Sequence, residues 1–544
     1  MTRASLDRLL ATLPLSYPGP GGAVAVIRKG EVIARHSWGY ANAEARLAFT
    51  PRTQFRMCSI TKQFTCALLD NALRDKWADR NALDAFVAAS LPALQEPPPG
   101  IFDLAHNQSG LRDYWAVAML HGAPTESAFG AAEARRVIAG TRSLQFRPGT
   151  AYSYVNQNFY LISEALEACS GRSFAELLQK QIFTPHGMES AFLAANTQSM
   201  PDGTQGYEGN EQSGYRPAVN NIIWTGDAGL GASLDDMIAW EKAIDAQRDD
   251  PEGFYNRLSA PVSFRNGAPA RYGFGLQRGR LFGHEMTGHG GALRGWRSHR
   301  LHLAKERLSV VVLFNHMSEA HSAAAELAAA ALGLSRPPSD ATQGNQAMLG
   351  HFLDRGTGLS ASIAPTPSGE RLSLRYAYPP ETLDGWTQDH AGRDGTRLSL
   401  HDEGLIMSRP QENREVLLTP LPEGQRNTGQ RSTGQNNLGQ NNAGQAKTGF
   451  AGHYECNELE SILTLTDAGD VLYGGFSGML GKGRMERLLP FGDDVWLIPC
   501  LRALDHSPPG YWTLWFQRDE TGNVAGIRVG CWLARDLFYR RIPE

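Results

Sequence analysis

Phe55-Arg56-Met57-Cys58-Ser59-Ile60-Thr61-Lys62-Gln63-Phe64-Thr65 sets a serine three residues before a lysine, at the point where a periodic apolar run begins. Residues three apart share one helix face, so hydroxyl and amine come within mutual reach in the first turn. Ile60, Phe64, Leu68 and Ala72, with Leu69 and Leu73, continue at spacings of four, which predicts a buried helix. The free N–H groups and dipole at such a helix start favour a developing oxyanion, so Ser59 reads as a nucleophile. A serine before a helix is commonly only a cap. Composition argues for more: the chain has 8 lysines against 44 arginines, and Lys62 alone among the lysines has a serine three places before it. A catalytic amine must shed its proton, which a guanidinium effectively cannot do.

At 544 residues the chain has room for more than one domain and for large cores. Charged residues make up 20 % and the net charge is −4, with no long basic block, so nucleic acid and anionic membranes are poor partners. The N-terminus lacks an uninterrupted apolar stretch and no segment approaches a membrane span, which predicts a soluble, cytoplasmic chain. Six cysteines show no metal-ligand spacing, and Cys58 and Cys66 read as small apolar fillers with reduced thiols. His284 and His289 do not cluster as ligands. We expect no metal and no cofactor.

Working outward, Gly22 to Trp38 predicts a hairpin around Lys29-Gly30. Helical patterns follow near Ala131 to Ala139, Phe159 to Cys169, Phe174 to Phe183, Leu234 to Ala246 and Ala320 to Leu332. Tyr272 to Leu281 reads as one strand, and Leu308 to Phe314 as a strand central to its sheet. Strands at both ends with helices between them predict an antiparallel sheet flanked by helices, with a helical subdomain inserted. After the linker at Gly333, short alternating segments begin, and the pattern restarts near Gly452. Gly350-His351-Phe352 and Gly452-His453-Tyr454 open the two sections alike, which predicts two small antiparallel β-barrels. Between them, Gly-Gln opens five-residue units at Gly424, Gly429, Gly434, Gly439 and Gly444; this polar stretch cannot bury enough surface to offset its ordering entropy. The expected division is 1–333, a catalytic α+β domain; 334–423, a first barrel; 424–449, a low-complexity linker or loop; and 450–544, a second barrel.

Acyl transfer from Ser59 needs a base, a proton donor for the leaving group, an oxyanion hole and a group that holds the substrate amide. Lys62 is the first candidate base. Downstream, Tyr154-Val155-Asn156 follows the Pro148-Gly149 turn and precedes an apolar helix, and Thr287-Gly288-His289-Gly290-Gly291-Ala292 sets a histidine among glycines, where backbone can approach a ligand closely.

Ser59-x-x-Lys62, Tyr154-x-Asn156 and His289-x-Gly291, in that order over residues 15 to 332, resemble the penicillin-recognising serine hydrolases, which include class C β-lactamases, D,D-carboxypeptidases and esterases. His106 to Tyr114 and Gly226 to Met237 are similar to accessory segments of that family. Val155 stands where many relatives carry serine, and its side chain is expected to point away. His289 in place of lysine leaves less fixed charge for a substrate carboxylate, which counts against carboxypeptidase activity.

The resemblance implies roles. Ser59 attacks; Lys62 and Tyr154 share the proton traffic; Asn156 binds the acyl-side amide; His289 bonds Tyr154 or substrate; the N–H groups of Ser59 and Ala292, beside Gly291, form the oxyanion hole. Arg294 and Arg297 are expected to be solvated or, alternatively, one of them reaches the site's rim, with Arg297 the candidate that contacts substrate. A catalytic domain followed by two barrels resembles the branch that removes small D-residues such as D-alanine from the free N-terminus of peptides, amides and esters. There, a loop of the last barrel enters the cleft; Cys500 to Pro508 is the matching stretch, with Asp505 as counter-charge to the substrate ammonium. The resemblance also implies β-lactams as inhibitors and a homodimer. The alternatives are another reaction of the same fold, as a D,D-carboxypeptidase, β-lactamase or esterase, and a non-catalytic peptide-binding module.

Overall fold

The computed structural model describes residues 3–334, 344–392, 395–422, 449–469, 471–500 and 510–543. The Gly-Gln units from 424 to 448 and the stretch holding Asp505 lie outside the described residues.

An eight-stranded antiparallel sheet organises the first 334 residues. Its order is Tyr272–Gly273, Leu276–Leu281, His284–Leu293, Trp296–Leu303, Leu308–Phe314, Gly21–Arg28, Glu31–Asn42 and Leu47–Ala48. The amino-terminal hairpin thus joins strands from far along the chain, with Val24 opposite Val312. Leu308–Phe314 is buried at every position, as its unbroken apolar run predicts for a central strand covered on both faces. One face, carrying Val24, Val26, Val310 and Val312, packs under the helices Arg3–Ser16 and Ala320–Leu332. The other, carrying Ala23, Ala25, Val311 and Leu313, packs on the inserted helices.

The helix Thr61–Arg74 runs through the middle of that second core. Ile60, Phe64, Leu68, Leu69 and Ala72 are fully buried, and the Phe64 ring lies 4.4 Å from Trp240, centre to centre. Each large side chain there contributes roughly 1.5–3 kcal/mol by leaving water. Ser59 itself sits one turn earlier, in a 3-10 turn Cys58–Ile60 entered through Cys58 in the left-handed region at φ 50°. That tight entry presents Ser59 at the helix mouth.

Some details of the first domain differ from the sequence reading. The helix Arg3–Ser16 was not foreseen, because Pro14 interrupts its pattern. The expected strand Tyr272 to Leu281 is two strands, since Phe274 and Gly275 both take positive φ and reverse the chain. The two expected β-barrels are present as curled antiparallel sheets, one nearly closed and one a half-barrel. Among the described residues the first has eight strands and the second ten. In both, the opening strand pairs with the second and with the last: Gly350–Asp354 with Leu359–Pro365 and Arg414–Pro420, and Gly452–Cys456 with Ser461–Ala468 and Ala534–Ile542. The first-to-last seam that closes an up-and-down barrel is therefore present in each, and the gap falls mid-meander. This shared plan matches the like openings at Gly350 and Gly452. Among the described residues no helix is long and apolar enough to cross a membrane.

Candidate active site

Three distant segments converge on Ser59. Lys62 Nζ donates to Ser59 Oγ at 3.0 Å, and the Tyr154 hydroxyl donates to the same oxygen at 2.8 Å. Lys62 is wholly buried, and its ammonium also donates to Asn156 Oδ1 at 2.9 Å and to the Asp227 carbonyl at 2.8 Å. Tyr154 ends an extended segment and Asn156 begins the helix Asn156–Ser170, so the chain turns between two functional groups. Val155 is fully buried beneath them, its N–H bonded to Asn107 Oδ1, which is why an apolar residue serves there.

The strand His284–Leu293 forms the opposite wall. Its pairing with Leu276–Leu281 stops at Gln277 and Gly288, so among the described residues no strand lies beside the outer edge of His289 to Ala292. A Cβ on Gly291 would stand 2.4 Å from the Met57 carbonyl oxygen and 3.1 Å from Cys58 Cβ. Only glycine lets the strand press against the turn carrying the nucleophile. Gly275 does the same below, where a Cβ would stand 2.4 Å from the Lys62 carbonyl carbon.

His289 bonds Tyr272 and not Tyr154. Its Nδ1 lies 2.5 Å from the Gly290 carbonyl oxygen and its Nε2 3.0 Å from the Tyr272 hydroxyl. A carbonyl only accepts, so the proton is on Nδ1, and Nε2 accepts from Tyr272. The Tyr154 and His289 rings are neighbours, 6.0 Å apart between centres. Burial, and then the Lys62 charge, lower the His289 pKa to about 3, so the imidazole is neutral. Burial pushes the Tyr154 phenol well above its usual range, and the bond to Ser59 only partly offsets this.

Ser59, Tyr154, Asn156, His289, Gly291, Ala292 and Arg297 all line one cavity of about 410 Å³. Arg297 reaches it while donating to the Leu293 and Trp296 carbonyls. Arg294 is not solvated: it is buried and braces the Val219 and Thr125 carbonyls. Asp505 lies outside the described residues.

Sequence reasoning missed the far wall, made by Tyr152, Tyr378 and Trp532. Tyr378 and Trp532 come from the two β sections, with ring centres 4.6 Å apart, and Trp532 Nε1 donates to the fully buried Glu412 at 2.9 Å. Nothing local in the sequence marks these aromatics. Among the described residues no group of three or more His, Cys, Asp or Glu could hold a metal.

Two family models divide the chain: "Beta-lactamase" matches residues 6–335 and "D-aminopeptidase, domain B" matches residues 341–540. The penicillin-binding protein homologue from Pyrococcus abyssi shares the fold at a TM-score of 0.53 and 20 % identity, over 77 % of this chain and 100 % of that one. Fold and cleft together define a penicillin-recognising serine hydrolase. The D-aminopeptidase of Gluconobacter oxydans is 58 % identical over 544 residues, 99 % of each chain, and that of Brucella anthropi 42 % identical over 541 residues, again 99 % of each. The chain belongs to the D-aminopeptidase family.

Proposed function

We propose that the chain removes small N-terminal D-residues from peptides, amides and esters through an acyl-enzyme on Ser59. The observation that carries this reading is a single Oγ held between an amine and a phenol, 3.0 Å from one and 2.8 Å from the other. A neutral Lys62 amine keeps two hydrogens, which Asn156 Oδ1 and the Asp227 carbonyl hold, and its lone pair then faces Ser59 Oγ. Lys62 takes the serine proton as Oγ bonds to the acyl carbon. Tyr154, whose burial keeps it protonated, donates its proton to the leaving amine as the C–N bond breaks and recovers one from Lys62. Water then attacks the ester, and the same groups return the proton to Ser59. The N–H groups of Ser59 and Ala292 receive the oxyanion at the edge of this strand, and His289, bonded to Tyr272, fills the space beside Tyr154 without adding charge.

Asn156 and Arg297 contact the substrate at the cavity wall, and Asp505, by the family resemblance, meets the α-ammonium. The same reading divides the chain at 333, 423 and 449, and makes it a cytoplasmic homodimer that β-lactams inhibit.

Purified protein should release p-nitroaniline from D-alanine p-nitroanilide and leave the L-isomer and the N-acetylated D-compound nearly untouched. Equal turnover of the acetylated compound refutes the aminopeptidase reading. An Asp505→Asn variant whose preference for free amines is unchanged refutes the ammonium role.

A further inference from the structure

The two acceptors that aim the Lys62 amine are themselves held by consecutive residues. Asp113 is fully buried and its carboxylate accepts four bonds: from Asn156 N at 2.6 Å, Asn156 Nδ2 at 2.9 Å, Trp115 N at 3.0 Å and Ala116 N at 3.3 Å. A carboxylate that only accepts dictates which end of the Asn156 amide faces it. Nδ2 must turn to Asp113, so Oδ1 must turn to Lys62. The next residue does the same for the second acceptor. The Tyr114 hydroxyl donates to Asp227 Oδ2 at 2.5 Å while Thr225 N donates to Oδ1 at 3.0 Å, which pins the peptide whose carbonyl receives Lys62.

This dipeptide is tied to the carboxy-terminal β section. Asp113 N–H donates to the Leu533 carbonyl at 3.0 Å, and Arg112 Nε donates to the Arg535 carbonyl at 2.8 Å. Arg112 also pairs with Glu458 at 3.0 Å. Leu533 itself lines the catalytic cavity.

We propose that Asp113 and Tyr114 are positioning residues that hold Asn156 and Asp227 so that the Lys62 lone pair points at Ser59, and that the carboxy-terminal β section, docked on Arg112 and Asp113, sets that aim. The inference rests on the acyl-enzyme reading above and assigns the last section a part in activating the nucleophile, distinct from walling the cleft. Neither side chain touches substrate, so losing one misdirects the amine without emptying the binding site.

The test uses the full chain and D-alanine p-nitroanilide, with Asp113→Asn, Tyr114→Phe and Glu458→Gln. Asp113→Asn keeps size but points a donor either at the helix N–H groups or at Asn156. Removing an orienting partner commonly costs about 10- to 100-fold in activity. We expect kcat to fall about that much in Asp113→Asn and roughly 3- to 10-fold in Tyr114→Phe, both with KM within about 3-fold of wild type. Glu458→Gln, far from the chemistry, should lower kcat about 2- to 5-fold in the same pattern. A merely structural role lowers the melting temperature but leaves kcat per folded molecule and the kcat-against-KM split unmoved. Asp113→Asn or Tyr114→Phe, folded by circular dichroism and with kcat within twofold, overturns the proposal, as does a rise in KM at constant kcat. If Asp113→Asn fails to fold, Tyr114→Phe decides alone. Wild-type kcat in Glu458→Gln overturns the part given to the β section. A wild-type chain inactive on this substrate overturns the acyl-enzyme reading, and this inference with it; an active wild type with unaffected variants overturns the inference alone.

Discussion

Replacing Gly291 by alanine adds one methyl where the strand His284–Leu293 passes the turn carrying Ser59. The new Cβ would stand 2.2 Å from Ser298 Oγ, 2.4 Å from the Met57 carbonyl oxygen and 3.1 Å from Cys58 Cβ. Gly291 is not among the residues at positive φ, so the substitution tests crowding without backbone strain. Neither near neighbour can yield cheaply. Ser298 Oγ donates to that same Met57 carbonyl at 2.9 Å, and Met57 N is bonded to the Leu230 carbonyl at 2.9 Å. To bring the backbone contact out to 3.0 Å, strand and nucleophile turn must separate by ~0.6 Å. A misplacement of about 1 Å costs about 100-fold, and overpacking a core costs about 1–3 kcal/mol. We therefore expect kcat/KM on D-alanine p-nitroanilide to fall about 10- to 100-fold, or about 1.4–2.7 kcal/mol of transition-state stabilisation, in a folded protein with a lowered melting temperature. Adding Ser298→Gly removes the 2.2 Å clash but not the carbonyl one, so the double variant recovers only part of the loss. Wild-type kcat/KM in Gly291→Ala would refute the claim that this strand is pressed against the nucleophile.

Lys62→Arg keeps the positive charge but cannot supply a lone pair, so kcat should fall by at least about 1000-fold while the folded fraction, read by circular dichroism, holds; retained turnover removes Lys62 as the base. Acid should destabilise the fold: burial lowers His121 and His302 to about 4 and His289 and His316 to about 3, against about 6.5 when unfolded. Between those values the unfolded chain binds more protons, so each of the four removes up to about 1.4 kcal/mol per pH unit as pH drops below about 6.5. Asp113, pushed up to about 6 by burial, takes up a proton in the folded state first and offsets one of them between about 6 and 3.8. The melting temperature should therefore drop steeply between about pH 6 and pH 4.5, and a flat profile there contradicts the four buried neutral histidines. Trp532→Ala opens the wall shared by the two β sections and should raise turnover of the N-acetylated compound relative to the free amine by about 10-fold, measured as a ratio of kcat/KM values; an unchanged ratio shows that the wall does not select substrate.

Signals that stay within a few residues survived from sequence to structure. Ser59 and Lys62 are three apart, and their contact follows from helix geometry alone; the burial of Phe64, Leu68 and Ala72 follows from the same period. Leu308–Phe314 is central because an unbroken apolar run has to be covered on both faces. The tyrosine that meets Ser59 is 95 residues away and the carbonyl that receives Lys62 is 165 residues from it, so no period or spacing announces either. Tyr154 stands out through its place after the Pro148-Gly149 turn and its resemblance to a known constellation; Asp113 and Tyr114 fall inside the family-like segment His106 to Tyr114 with no role assigned to them, and Tyr272 and Trp532 carry no such motif. Tyr272 shows the physical reason. Its place beside His289 depends on a reversal at Phe274-Gly275, and Gly275 is required there because the Lys62 backbone lies against it. A turn imposed by a contact between two distant segments has no local cause, so the sequence around it reads as one continuous strand. The histidine follows the same logic: the Gly290 carbonyl fixes its tautomer, and that tautomer, with Nε2 left to accept, selects Tyr272 as its partner.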